Sequence, residues 1–355
     1  MMSILALFLP TATAVEGPAM GSEPEPQQLV LRAEIAGRVF AILPESGVSR
    51  GFSLPRSRVG ARFMGPHGAS ARLVMVGTRS GGANGYIGIE GEAFVPRFQI
   101  AEARWESAEL GLSLAAGIVD DIWVGMHQFE WGHPEMAEAP VRAANLLDRS
   151  DLGGWVSWTS RERRFSASVS VMSGEGEVRR ERNNGLDVAV MVTGRPVVSD
   201  DLTVTLRLYG REGSRGAVQA RNHRLGGSGR VDHRLVSASA MAMAGWGDNR
   251  ADGTLEPLLV AGYVRTAMDL PVVGYARFDY ALADRSDGDT STQTVRLGGG
   301  PRLPLKGGAP FWLTAGWEGQ RNGPAAGPVA GIPTGSDQVF LQLSTDLRAT
   351  LPMEK

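Results

Sequence analysis

Apolar and polar residues alternate with period two along most of this chain, the signature of strands that bury one face and present the other to a different environment. The clearest run is Leu110–Val119: the even positions Leu110, Leu112, Leu114, Ala116 and Ile118 are aliphatic or Ala, while Gly111, Ser113, Ala115 and Gly117 are small. Leu31, Ala33, Ile35 and Val39 oppose Arg32, Glu34 and Arg38. Val59, Ala61 and Phe63 oppose Arg58 and Arg62, and Ala71, Leu73 and Met75 oppose Arg72 after the turn Gly65-Pro66-His67-Gly68. Ala101, Ala103 and Trp105 oppose Glu102 and Arg104. The pattern returns in Leu152–Trp158, Phe165–Ser173, Leu186–Val192 and Leu202–Tyr209. It continues in Arg234–Ala244, Leu258–Val264, Val272–Leu282, Gln293–Leu297, Phe311–Trp317 and Val339–Leu347.

Asp120-Asp121 breaks the pattern, and roughly thirty residues follow that cannot be a strand; loops of that length inside a compact domain are uncommon and usually functional. This one carries Trp123, His127, Phe129, Glu130, Trp131 and His133. A strand with an emptied inner face followed by such a loop implies a loop folded back into a lumen. The expected fold is all-β: a transmembrane antiparallel β-barrel of 16 strands, 14 being the alternative count, with the in-folded loop after strand 5.

Connection lengths set the topology, because single-chain bacterial barrels have even strand numbers, short periplasmic turns and longer outer loops. Counting from the start places the loop after Val119 outside. Counting back from the end places Gln320–Asp337 outside and Met268–Pro271 and Leu303–Pro310 inside. The two counts meet only with one more strand between Arg211 and Arg234, expected around Ala217–Arg224.

Alternation alone does not separate a membrane barrel from a soluble β-sandwich. The apolar faces here are almost purely aliphatic or aromatic, strands of about 9–11 residues match a tilted membrane span, and Trp105, Trp158, Tyr280, Phe311 and Trp317 lie near strand ends, where aromatic girdles sit. Against this, the last strand does not close the chain on an aromatic residue; Met353-Glu354-Lys355 follow.

Composition narrows the chemistry. A formal net charge of −2 over 355 residues gives no reason to expect a nucleic-acid partner, and the absence of cysteine excludes disulfides, Cys-ligated metals and thiol catalysis. Of 36 basic residues only Lys306 and Lys355 are lysine. Met1–Ala14 is short, apolar and ends Ala12-Thr13-Ala14, an A-x-A cleavage pattern without the usual positive leading segment. Residues 1–14 therefore read as a signal peptide, 15–28 as a proline-bearing periplasmic lead-in, and 29–355 as the barrel.

The inward arginines Arg58, Arg62, Arg72, Arg104, Arg207, Arg277 and Arg296 are the candidate pore-lining residues, since rings of Arg favour anions. The competing reading has them braced by Glu34, Glu102, Asp187, Asp279 and Asp346 without selectivity. In the loop, Trp123, His127, Glu130, Trp131 and His133 are the candidate constriction residues: Trp123, Phe129 and Trp131 as packing anchors, and His127, Glu130 and His133 bordering the pore. His127, Glu130 and His133 also have a spacing that could converge on Zn²⁺, but Pro134 disfavours helix at His133 and no fourth ligand is evident, so no metal is expected. The five histidines sit near no G-x-S-x-G elbow, and no catalytic residue is assigned. Gly226-Gly227 and Gly298-Gly299-Gly300 precede no helix, as a phosphate cradle requires, and read as turn or strand-end glycines.

In order and texture the chain resembles bacterial outer-membrane porins of the phosphate-selective type. The resemblance rests on Arg58-x-x-x-Arg62, on Ile100-Ala101-Glu102-Ala103-Arg104-Trp105-Glu106, on Leu110–Gly117, and on a long loop re-entering through Arg149-Ser150-Asp151-Leu152-Gly153. It implies a 16-stranded homotrimer with a constricting third loop and cationic lumen residues. The lumen lysines of some members have no counterpart here, so phosphate specificity is not carried over.

The expected function is thus passive diffusion of small hydrophilic solutes or anions across the outer membrane of a Gram-negative cell, with outer-membrane lipid as the surrounding partner, no nucleic acid and no cofactor. The alternatives are a closed outer-membrane barrel with a structural or enzymatic role, and a secreted soluble β-rich binding protein.

Overall fold

The computed structural model describes residues 27–43, 49–80, 93–131, 139–174, 176, 185–215, 220–247, 255–267, 270–304, 310–323 and 335–352. The proposed signal peptide and most of the lead-in lie outside them. Strands run β1 (Gln28–Leu43), β2 (Ser49–Met64), β3 (Ala69–Ser80), β4 (Ala93–Ser107) and β5 (Leu112–Asp120). Two helices follow, α1 (Ile122–Trp131) and α2 (Pro140–Ala143), before β6 (Ser150–Thr159), β7 (Phe165–Met172), β8 (Asp187–Val198) and β9 (Leu202–Glu212). A small hairpin, β10 (Ser214–Arg215) with β11 (Ala220–Arg221), stands outside the main sheet. The chain then completes β12 (His223–His233), β13 (Val236–Trp246), β14 (Leu258–Thr266), β15 (Val272–Asp284), β16 (Asp287–Pro304), β17 (Pro310–Asn322) and β18 (Gly335–Pro352).

Sixteen of these strands, all but β10 and β11, form one closed barrel. Closure is made by β1 against β18, antiparallel from Gln28↔Pro352 to Leu43↔Asp337, which leaves no unpaired edge. Gln28 also pairs with Met64, so both chain ends and the β2–β3 turn share one rim.

The alternation read from the sequence becomes the two faces of this wall. On β7, Val169 is 46% exposed on the outer face, while its neighbours Ser168 and Ser170 are 8% and 1% exposed on the inner one. Large exposed apolar side chains occur on every barrel strand except β17.

Two expectations need correction. The missing strand is β12, His223–His233, and not Ala217–Arg224, where the small hairpin and its connection lie. Its three glycines among eleven residues hid the period-two signal. Gly226-Gly227 and Gly298-Gly299-Gly300 lie inside β12 and β16 and are not turn or strand-end residues. At Gly298 the Tyr275 ring occupies the space of the missing side chain, 2.8 Å from where a Cβ would stand, so glycine there makes room for a large inward aromatic. Gly117 has a different reason: it adopts φ +122 in β5 with the Ala101 carbonyl pressed against it, a geometry that L side chains disfavour.

Candidate functional site

One side of the inner wall is a lattice of alternating charges. Arg32 lies 2.6 Å from Asp346 and 3.0 Å from Glu34, Arg58 lies 3.6 Å from Glu34, and Arg348 lies 3.3 Å from Asp346. Arg72 reaches Glu102 at 3.0 Å and Asp120 at 2.7 Å, and Arg149, from the end of the long loop, reaches Asp120 at 3.2 Å. Arg104 pairs with Glu106, its guanidinium over the Trp155 ring at 5.0 Å. Arg62 stands directly across from Arg72 on β3 and from Val30 on β1, and makes no ion pair among the described residues. Within this lattice seven guanidinium groups face five carboxylates. Arg32, Glu34, Arg58, Arg72 and Arg149 also line one small cavity.

A second cluster occupies β15–β17. The Arg277 Nη2 donates to Asp279 at 2.7 Å, while Arg296 bridges Asp279 at 2.7 Å and Glu318 at 3.0 Å. Arg207, on β9, is 5% exposed and lies across from Thr193 and Ser228. Thus all seven predicted arginines belong to the inner face, but they divide between two walls, and five of them are tied to carboxylates. The bracing role weighed for Glu34, Glu102 and Asp279 describes the contacts of Arg58, Arg72, Arg277 and Arg296, whereas Arg104 pairs with Glu106. Asp346 instead pairs with Arg32 and Arg348, and Asp187 with Arg211, none of them a predicted pore-lining arginine.

The long loop contains a helix that the sequence reading did not assign. Asp121 caps it: Oδ1 accepts from the Trp123 amide at 2.8 Å and the Val124 amide at 3.0 Å, satisfying donors that a helix start leaves open. The Tyr209 hydroxyl on β9 donates to Asp121 Oδ2 at 3.1 Å, and the Asp121 amide donates to the Arg149 carbonyl at 2.8 Å, joining the two ends of the loop. Burial holds the Asp121 carboxyl above the usual aspartate range, with Arg211, the helix amides and Tyr209 pulling the other way.

Trp123 and Val124 are fully buried, together with Val141, Leu146 and Leu147 of the same loop. Their cluster includes Ala189, Met191, Tyr209, Met241, Met243, Leu259, Ala261, Tyr263 and Tyr275, the inward residues of β8, β9, β13, β14 and β15. The loop is therefore packed against one inner wall, and the charged lattice of β1–β5 and β18 belongs to the other.

Of the predicted constriction residues, Trp123 is a packing anchor, stacked on His127 at 4.0 Å and tilted against Tyr209 at 5.3 Å. His127, expected at the pore edge, is instead fully buried. Its Nδ1 lies 2.9 Å from the Trp123 carbonyl and its Nε2 3.1 Å from the Ser228 hydroxyl on β12. Helix i, i+4 spacing turned this histidine inward against the barrel wall. The side chains of Phe129, Glu130 and Trp131, and the whole of His133, lie outside the described residues. Among the described residues no group of three His, Asp or Glu side chains is placed to hold a metal ion.

Sequence reasoning missed Arg224, which is 2% exposed: its Nε donates to the Leu146 carbonyl at 2.8 Å and its Nη1 to the Gly247 carbonyl at 2.7 Å. It clasps the returning end of the loop to β12. Its signal was obscured along with the strand that carries it. Asp151 works similarly at β6, accepting from Ser173 Oγ at 2.7 Å and from the Gly174 amide at 2.7 Å.

No protein-family model matches this chain, and no curated protein matches it. Solved structures do. An anion-selective porin from Comamonas acidovorans aligns with 13% identity over 91% of this chain and 100% of its own, with a TM-score of 0.57. OmpF of Salmonella typhi, in complex with daunomycin, aligns with 10% identity over 90% and 97%, TM-score 0.60. The trimer form of OmpT, an outer-membrane protein of Vibrio cholerae folded in vitro, aligns with 9% identity over 92% and 100%, TM-score 0.54. At these identities the likeness is one of fold: the closed 16-stranded barrel of this chain is similar along most of its length to these solved structures, an anion-selective porin among them.

Proposed function

We propose that this chain is an outer-membrane porin that lets small hydrophilic solutes diffuse passively, with a preference for anions. The observation that carries the reading is the division of the wall. Its outer face exposes apolar side chains strand after strand, and its inner face concentrates arginines and carboxylates. A soluble protein would not leave such a belt in water, whereas a membrane barrel of this size encloses an aqueous lumen. This favours a lipid surround over the secreted soluble reading.

The seven-to-five excess of guanidinium over carboxylate in the lattice supports the anion preference, since wall charge biases which ions enter. Arg62 contributes most to that bias, because it makes no ion pair among the described residues; Arg72, Arg277 and Arg296 serve mainly as wall struts. Passage is narrowed by the loop packed on β8–β15, with Trp123 as its anchor. The reading requires no cofactor and no catalytic residue. Homotrimer assembly is part of the proposal, as is export behind the 1–14 signal peptide; phosphate selectivity is not.

Liposome swelling tests this. Vesicles containing the folded chain should swell in isotonic solutions of small sugars, with rates falling as solute size grows. At matched size, anionic solutes should enter faster than cationic ones. Absence of swelling from vesicles shown to contain heat-modifiable, folded protein would overturn the porin reading and favour a closed barrel.

A further inference from the structure

The outer surface at the β6–β7 turn combines two features found together nowhere else among the described residues. Trp158 and Phe165 are each 43% exposed on the outer face, with ring centroids 6.1 Å apart. Immediately beyond them the turn reads Arg161-Glu162-Arg163-Arg164. Arg161 and Arg164 are exposed and make no ion pair among the described residues.

The turn is held in shape by its own hydrogen bonds. The Ser160 amide donates to the Phe165 carbonyl at 2.9 Å, the Arg163 amide to the Ser160 carbonyl at 2.8 Å, and the Phe165 amide to Ser160 Oγ at 3.2 Å. Arg195 on β8 buttresses it, donating from Nη1 to the Arg163 carbonyl at 2.7 Å and from its amide to the Arg164 carbonyl at 2.7 Å. Beside Phe165, Gly194 leaves the outer face open: a Cβ there would meet nothing within 4 Å. Gly194 pairs on its other side with Leu206, which is 53% exposed. A slot thus runs between Phe165 and Leu206 up to the cationic turn.

We infer that this patch is a docking site for an anionic phospholipid of the inner leaflet, its acyl chain in the slot at Gly194 and its phosphate against Arg161 and Arg164. This rests on the membrane-barrel reading, which puts the short-turn rim at the periplasmic interface. Aromatic rings settle at that depth, and arginine stems lie along apolar surface while their guanidinium groups reach the phosphates. Charge complementarity selects the occupant. The neighbouring turn carries Ser199-Asp200-Asp201 and would repel the same headgroup.

The test uses the full mature chain folded into phosphatidylcholine vesicles doped with acyl-chain-brominated phosphatidylglycerol, or with equally brominated phosphatidylcholine, as fluorescence quenchers. Subtracting the signal of a Trp158→Phe variant isolates Trp158. Brominated phosphatidylglycerol should quench Trp158 preferentially. The preference should fall about fivefold for each arginine neutralised in Arg161→Gln and Arg164→Gln, and should weaken with salt. Equal quenching by the two lipids, or a preference unchanged in the double variant, would overturn the site. A chain that never gains heat-modifiable gel migration in vesicles would instead overturn the barrel reading beneath it.

Discussion

Arginine placed at adjacent positions of β7 should have opposite consequences. Val169 points outward, between Val156 and Val190, which are 51% and 45% exposed on the same face. Val169→Arg sets a guanidinium against the hydrocarbon near mid-strand, at a cost of about 2–4 kcal/mol. Ser168 points inward, and its hydroxyl donates to Ser157 Oγ at 2.9 Å. Ser168→Arg loses that bond, worth about 1 kcal/mol, but its charge stays in the lumen. The difference, about 1–3 kcal/mol, is roughly 5- to 150-fold in the folded-to-unfolded ratio. Urea titration in lipid vesicles, scored by heat-modifiable migration, measures it. Ser157→Arg, on the same inner face and less enclosed than Ser168, guards against local crowding and should behave as Ser168→Arg does. Equal loss from Val169→Arg and both serine variants would refute the face assignment, and with it the lipid-facing exterior.

The remaining expectations concern the lumen and its loop. Arg62→Glu should move the reversal potential toward cations with little loss of stability, whereas Arg296→Gln should lower the urea midpoint, because it leaves Asp279 and Glu318 short of a partner. Asp121→Ala should destabilise the loop by about 1–2 kcal/mol through the lost helix cap and make single-channel current noisier, while Asp121→Asn, which keeps one acceptor, should do so less. The Asp121 carboxyl binds its proton more readily in the folded state than in the unfolded chain. Its contribution to stability should therefore decline as pH rises from the ordinary aspartate value through the raised one, a slope that Asp121→Asn should remove from the urea midpoint. Gly298→Leu should displace the Tyr275 ring and lower stability by about 1–3 kcal/mol, read as the same midpoint.

Most of the wall was legible because a barrel strand of this kind writes its two environments directly into alternate residues, as Phe165–Val171 and Leu202–Tyr209 show. The signal vanished where the backbone, rather than the side chain, did the work. β12 carries Gly226, Gly227 and Gly229, and β16 carries Gly298–Gly300, so neither displayed a full apolar face. The inward arginines were readable by parity. Their partners were only partly so, since pairing such as Arg72 with Asp120, or Arg296 with Glu318, depends on register and on which rotamer reaches across the sheet. The loop was recognisable by its length and aromatics, but its helix was not. The decisive contacts, Asp121 with Tyr209, His127 with Ser228 and Arg224 with Leu146, join residues 78 to 101 positions apart. Local pattern holds no record of them.

The most direct test of the central claim is the conductance and reversal potential of the refolded mature chain in a planar bilayer under a salt gradient. The account predicts stable single-channel steps with a reversal potential biased toward anions, reduced by Arg62→Glu. Absence of steps from protein shown to be inserted and folded would contradict it.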